Sequence, residues 1–241
     1  MHNFLEALKF IGRDGQIPGA PPLPTLVHLT LETIKVAGIG MAISLVIALP
    51  VGLWLGHIHR ASFLAINLGN IWRALPSLAV LAIGVAFLGI GLGNVELALV
   101  VLAVPPVITN AYVAIDGVDR DVVDAARGMG MTGWEVLRRV ELPLGIPLIF
   151  AGIRTAALFV VSTTTISALT GYSGSLGDII NNETSYHLSG VLGAAICIAG
   201  LALAVEFALA WVQRLLTPRG LKLSSQEEVQ SALVPVTGET V

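Results

Sequence analysis

Charge is scarce in this chain. Only 12% of its 241 residues are Asp, Glu, Lys or Arg, while 55% are hydrophobic. A soluble domain carries about a quarter charged residues, so a water-exposed globule is a poor fit. Lysine is scarcer still: Lys9, Lys35 and Lys222 are the only three. None sits in a GxxxxGK[ST] context, which excludes a phosphate-binding loop of that type. The one cysteine, Cys197, lies in an apolar run. It permits no disulfide within the chain and reads as a small buried apolar residue. The first residues lack a basic start, an apolar core and a small-residue cleavage site, so no cleavable signal peptide is expected. Paired mid-span acids, Ser–Lys or Ser–His dyads and clusters of metal ligands are also missing, which argues against an intramembrane enzyme, an ion-coupled carrier or a metal site.

Long uncharged runs are what the chain does have. A membrane-spanning helix needs about 20 apolar residues, and in lipid the backbone must satisfy its own hydrogen bonds. The runs are continuous rather than alternating, so helices and not a barrel are expected. Five candidate spans follow. The first begins near Leu26 and is charge-free from Val36 to Gly56, with Glu32 and Lys35 able to pair before it, Pro50 expected to kink it, and Gly52 and Gly56 as a GxxxG packing signal. The second is charge-free from Ala74 to Val95, with Arg73 before it and Gly89, Gly91 and Gly93 marking a turn. The third covers Leu97 to Ile115 and is interrupted by Pro105-Pro106, a bend that fits either a pathway wall or a structural kink. The fourth, from Thr155 to about Thr170, holds Ser162, Thr163, Thr164, Thr165 and Ser167, which fit either a polar cavity or ordinary packing. The fifth runs from Leu188 to about Val212 and carries Glu206, read as an interfacial anchor near Arg214.

The ends are simpler. Residues 2–11 place Phe4, Leu5, Leu8 and Ile11 on one face, which suits a helix on the membrane surface or a frayed terminus. Pro18 to Pro24 reads as a stiff connector, and Tyr172 to His187 as a Gly/Ser/Asn loop. The expected organisation is a surface segment and linker over 1–23, a membrane domain over 24–222 and a disordered tail over 223–241. Lys and Arg gather at His57–Arg60, at 116–154 and at Arg214–Lys222. With five spans that bias places the N-terminus outside and the C-terminus in the cytoplasm.

The segment 116–154 interrupts the apolar chain with Arg120, Arg127, Arg138, Arg139 and Arg154. Val118, Val122, Ala125 and Met129 form a helical stripe that ends at Gly128 and Gly130. Thr132 with Glu135 three residues on predicts a capping box opening a second helix, with Trp134 and Leu137 among its apolar positions. A helix–Gly–helix elbow between two spans, with small residues Ala125, Ala126 and Gly130, suits docking to another protein better than chemistry.

Its spacing carries a resemblance. Asp124-Ala125-Ala126, three residues, Gly130, nine residues, Val140, one residue and Leu142-Pro143 resembles the Glu-Ala-Ala-x3-Gly-x9-Ile-x-Leu-Pro loop of permease subunits of binding-protein-dependent ABC importers. Asp for Glu and Val for Ile are the two departures, and both keep charge and shape. Residues 24–222, through stretches such as Arg73-Ala-Leu-Pro-Ser-Leu-Ala79, Val104 to Tyr112 and Gly171 to Gly177, resemble more narrowly the permeases of osmoprotectant importers for glycine betaine, carnitine, choline or proline. The resemblance implies an all-α fold of about five transmembrane helices, like a type I ABC importer permease, in a bacterial plasma or inner membrane.

It also implies roles. Asp124, Ala125, Ala126, Gly130, Trp134, Val140, Leu142 and Pro143 would form the coupling loop for an ABC ATPase subunit. ATP–Mg would bind that subunit and no cofactor this chain. ATP-driven closure of two ATPase subunits would draw two such loops together and turn the spans from inward- to outward-facing. The other implied partners are an extracytoplasmic solute-binding protein, a second permease copy or sister permease, and lipid; nucleic acid is not among them. Phe87, Tyr112, Phe150, Phe159, Tyr172 and Trp211 make no sequence-local cage for a quaternary ammonium, so a cage on the binding protein is expected. Thr109, Asn110, Tyr112, Thr163 and Thr164 are the candidates for the translocation path. A permease of the same superfamily for amino acids or another small solute is the alternative.

Overall fold

The structure, a computed structural model, describes residues 2–16, 24–59, 67 and 74–218. Residues 18–23 of the proline connector, Arg60, Arg73, Arg219, Lys222 and the tail over 223–241 lie outside the described residues. The rest is helical. In chain order come α1 (His2–Gly12), α2 (Leu26–His57), α3 (Ser77–Leu88), α4 (Leu92–Asp116), α5 (Arg120–Gly128) and α6 (Gly133–Val136). A π-helical turn (Leu137–Glu141) leads directly into α7 (Leu142–Ile166); a 3-10 turn (Ser167–Thr170), α8 (Gly177–Asn181) and α9 (Glu183–Leu216) follow.

Among the described residues four helical stretches are long and apolar enough to cross a membrane: Leu26–His57, Leu92–Asp116, Gly133–Thr170 and Glu183–Leu216. The remaining apolar segment is shorter than expected. α3 has 12 residues, roughly 18 Å of helix against a hydrocarbon core of about 30 Å. The turn at Gly89 and Gly91 ends it early, and Leu92–Val95, with Gly93, open α4 instead. α9 has a non-helical residue at His187, φ 55° and ψ 173°, so its straight part begins at Leu188 as the hydropathy implies. The stretch Tyr172–His187 is not all loop, because α8 and the first turn of α9 fall within it.

α4 is the centre of the bundle. It packs most extensively against α2 on one side and α7 on the other. Without a hydrophobic drive between helices in lipid, close approach depends on small residues, and both contacts use glycine. A Cβ on Gly52 would lie 2.7 Å from Ala111 Cβ, and one on Gly56 2.8 Å from Ile115 Cβ. On the opposite side a Cβ on Gly152 would meet Asn110 Cβ at 2.5 Å. The GxxxG of the first span is therefore its contact with the third. α2 is continuous through Pro50, and α4 runs unbroken through Pro105 and Pro106, both buried between neighbouring helices. Thr25 caps α2 by accepting from the His28 N–H at 3.2 Å, and Glu32 pairs with Lys35 at 3.3 Å.

α1 is a formed helix that packs on α9. Ala7 and Phe10 are its buried residues, while Phe4, Leu5 and Leu8 are exposed. Phe10 meets Tyr186 edge-on with ring centroids 6.2 Å apart and lies over Gly190 and Gly193 of α9. The 171–176 loop is held by Asp178, whose carboxylate accepts from the Gly174 N–H at 2.5 Å and the Ser175 N–H at 3.2 Å. Burial pushes the Asp178 carboxyl up, against the downward pull of those two donors. The Leu176 N–H donates to Thr33 Oγ1 at 3.0 Å, tying this loop to α2.

Candidate functional site

The elbow between α4 and α7 is built much as its residues imply. Asp119 caps α5 by accepting from the Asp121 N–H at 2.9 Å. Asp121 lies in the first turn and Arg127 in the last, complementing the helix dipole. Met129 ends the helix, and Gly130 turns the chain at φ +85°, a left-handed conformation that side chains rarely adopt. The capping box is complete: the Glu135 N–H donates to Thr132 Oγ1 at 3.4 Å and the Thr132 N–H to Glu135 Oε2 at 3.0 Å. The second helix is not a short separate one, since α6 passes through the π turn into the membrane helix α7.

The elbow has its own small core. Val118, Val123, Ala126 and Val136 are buried together, with Met131 and Val140 half-buried against them. That divides the candidate coupling residues into two sets. Asp124, Ala125, Gly130 and Trp134 are exposed, and so are Val122 and Met129 of the apolar stripe. Trp134 is 68% and Met129 72% exposed. Ala126 is different: at 2% exposure it faces the elbow's own core and offers no surface to a partner. Val140, Leu142 and Pro143 are half-buried where the chain re-enters the bundle. Trp134 and Met129 are thus two large apolar residues exposed on an elbow that has its own core.

Arg154 is not part of the elbow. It lies well inside α7, and its Nε–H donates to Glu206 of α9 at 2.7 Å; a second N–H donates to Gln213 at 3.2 Å. Glu206 is therefore anchored across helices to Arg154.

The path candidates are dispersed. Tyr112, Thr163 and Thr164 are 2%, 1% and 0% exposed, in the packed interior. The Thr164 hydroxyl donates to its own helix at Val160 O, 2.8 Å away, and Thr155, Ser162 and Thr165 do likewise to residues four back. Thr109 and Asn110 are half-buried, and the Asn110 amide donates to Pro106 O at 2.8 Å. The hydroxyls of Thr155, Ser162, Thr164 and Thr165 thus each satisfy a carbonyl of their own helix.

Four residues at the base of the elbow went unread in the sequence. His57 Nδ1 is 2.6 Å from Glu141 Oε2, and His59 Nδ1 is 2.7 Å from Asp116 Oδ1. Glu141 is fully buried. An acid between Val140 and Leu142, with two alternating histidines at the end of the first span, was the available signal.

Among the described residues no group of His, Cys, Asp or Glu could hold a metal ion. A bundle of helices long and apolar enough to span a membrane, with an exposed elbow between two of them, defines a multi-pass membrane protein. Residues 39–220 match the model of the binding-protein-dependent transport system inner membrane component, and the chain belongs to that family. It is 35% identical over 198 residues to the glycine betaine/carnitine/choline transport system permease protein OpuCB of Bacillus subtilis (strain 168), covering 82% of this chain and 91% of that protein. It is 34% identical over 223 residues to the choline transport system permease protein OpuBB of the same organism, covering 92% and 97%. The carnitine transport permease protein OpuCB of Listeria monocytogenes is 36% identical over 181 residues, covering 75% and 83%. Among solved structures, an inward-facing MetNI methionine ABC transporter matches with a TM-score of 0.68 at 23% identity, covering 80% of this chain and 96% of that one. An amino acid ABC transporter matches at 0.60 and 18%, covering 88% and 96%. At those identities the likeness is one of fold.

Proposed function

We propose that this chain forms the translocation path of an ATP-driven importer of osmoprotectants, namely glycine betaine, choline, carnitine or proline, and that its elbow docks on the ATPase subunit. The observation that carries the coupling role is the elbow itself: exposed Asp124, Ala125, Met129 and Trp134 grouped around left-handed Gly130 and backed by a dedicated core. The substrate class rests on the relatives, permeases of glycine betaine, carnitine and choline transport systems at 34–36% identity over most of the chain. They favour osmoprotectants over amino acids; the methionine and amino acid transporters share the fold at lower identity.

In this reading the chain sits in a bacterial plasma or inner membrane, with its N-terminus outside and the elbow and C-terminus in the cytoplasm. ATP–Mg binds the separate ATPase subunit. An extracytoplasmic binding protein delivers the solute, and a second permease copy completes the path. ATP binding closes the ATPase subunits, draws two elbows together and reorients the spans.

Reconstitution with the ATPase and binding protein, followed by ATP-dependent uptake of labelled glycine betaine, tests the reading. Competition by unlabelled betaine or choline but not methionine is expected. Competition by methionine alone would assign the chain to the amino acid alternative.

A further inference from the structure

The elbow is fastened to the bundle at both of its ends by the same short piece of chain. Asp116 closes α4 just before the elbow, and Glu141 closes the π turn just after it. His59 meets the first at 2.7 Å and His57 the second at 2.6 Å. Both histidines stand at the end of α2, and His59 holds φ +50°, where non-glycine residues are uncommon. With the carboxylates ionised, each Nδ1–H is the donor.

Several features make these contacts more than surface pairs. Glu141 is fully buried, and its second oxygen, Oε1, has no hydrogen-bond partner. A buried carboxylate of that kind depends on its one partner, here His57, whose side chain is 17% exposed. Glu141 also sits at the end of a π turn, a local unwinding that occurs often at functional positions. Between the elbow and the membrane helices runs an open groove of about 500 Å³, lined by Val113, Gly117, Val118, Val122, Leu144 and Leu148 among others. The elbow is therefore undercut on that side, and the two histidine–carboxylate pairs tie across its base.

We infer that His57 and His59, through Glu141 and Asp116, are positioning residues that join the elbow and the end of α2 into one moving body, so that a push on the elbow reaches the first span directly. α2 in turn is locked to α4 at Gly52 and Gly56, which carries the displacement into the centre of the bundle. The inference rests on the docking role of the elbow proposed above.

The test uses the whole transporter in proteoliposomes, with the ATPase subunit and binding protein present. Glu141→Gln and the pair His57→Gln with His59→Gln are compared with wild type for three readings: ATPase subunit retained, ATP hydrolysed, and betaine taken up per ATP. The expected result is full retention, continued hydrolysis and a fall in uptake per ATP of about 10-fold. A structural role alone would lower the amount of assembled transporter without changing that ratio. Unchanged uptake per ATP overturns the inference, and so does loss of the ATPase subunit, which would make the pairs supports of the docking surface. Gly130→Trp in the same assay separates the two readings: if it retains the ATPase subunit and normal uptake, the docking role itself is wrong. Should those variants fail to assemble, His59→Gln alone, whose partner Asp116 is partly exposed, is read in the same assay: a lower uptake per ATP is expected, and an unchanged ratio overturns the inference.

Discussion

His57 and Glu141 are 84 residues apart in the chain and 2.6 Å apart in space, the end of the first span held against the base of the elbow. Removing one partner of a buried pair costs more than the pair contributes, because an uncompensated charge remains. His57→Ala is therefore expected to destabilise the protein by about 3 kcal/mol or more. Thermal unfolding in detergent measures it. Glu141→Leu, which removes the buried charge, is expected to cost less than His57→Ala; the reverse order would mean that the carboxylate is not held in place by the histidine.

Glycine positions along α2 make a graded comparison within one helix. A Cβ at Gly52 would come within 2.8 Å of the Ile108 carbonyl oxygen, while one at Gly38 would meet nothing within 4 Å. Gly52→Ala is expected to cost about 1–3 kcal/mol through overpacking. Gly38→Ala is expected to be neutral or stabilising by up to about 1 kcal/mol. Equal melting temperatures for the two variants would show that α2 and α4 do not approach at Gly52.

Arg154 and Glu206 form a pair inside the bundle, each partly exposed. Arg154→Gln and Glu206→Gln are each expected to lower stability by about 1 kcal/mol, an amount already reduced for solvent screening. The double variant is expected to cost less than the sum of the two. Strict additivity in a double-mutant cycle would rule out a direct contact.

Much of this arrangement was legible in the residues. The charge-free runs located the long helices, Gly52 and Gly56 marked a real helix contact, and Thr132 with Glu135 foretold the cap that starts α6. The differences have separate physical causes. In lipid both faces of a helix are apolar, so periodic hydrophobicity does not tell the packed face from the exposed one. In α1 the apolar face of Phe4, Leu5 and Leu8 is exposed, while Ala7 and Phe10 pack against the glycines opposite them, a contact that periodicity does not mark. α3 is short because of turn geometry at Gly89 and Gly91, which a hydropathy count does not register. The partners of Glu141 and Glu206 lie on other helices, at separations of 84 and 52 residues, and nothing local names them. Within the elbow, the small residue Ala126 looked like docking surface and is core, because the turn of α5 that places Asp124 and Ala125 outward points the next residue in.

The most direct test of the coupling account is uptake by Gly130→Trp and Asp124→Arg in the reconstituted transporter. Gly130 has open space around its Cβ position but a φ of +85°, and Asp124 is exposed. Asp124→Arg therefore changes the presented surface, and Gly130→Trp also strains the turn that presents it, with no contact to the bundle at its Cβ position. With membrane insertion verified, ATP-dependent uptake of labelled glycine betaine is expected to fall by about 10-fold or more, together with substrate-stimulated ATP hydrolysis. Wild-type uptake by both variants would contradict the account and leave the elbow as a folded connection between two spans.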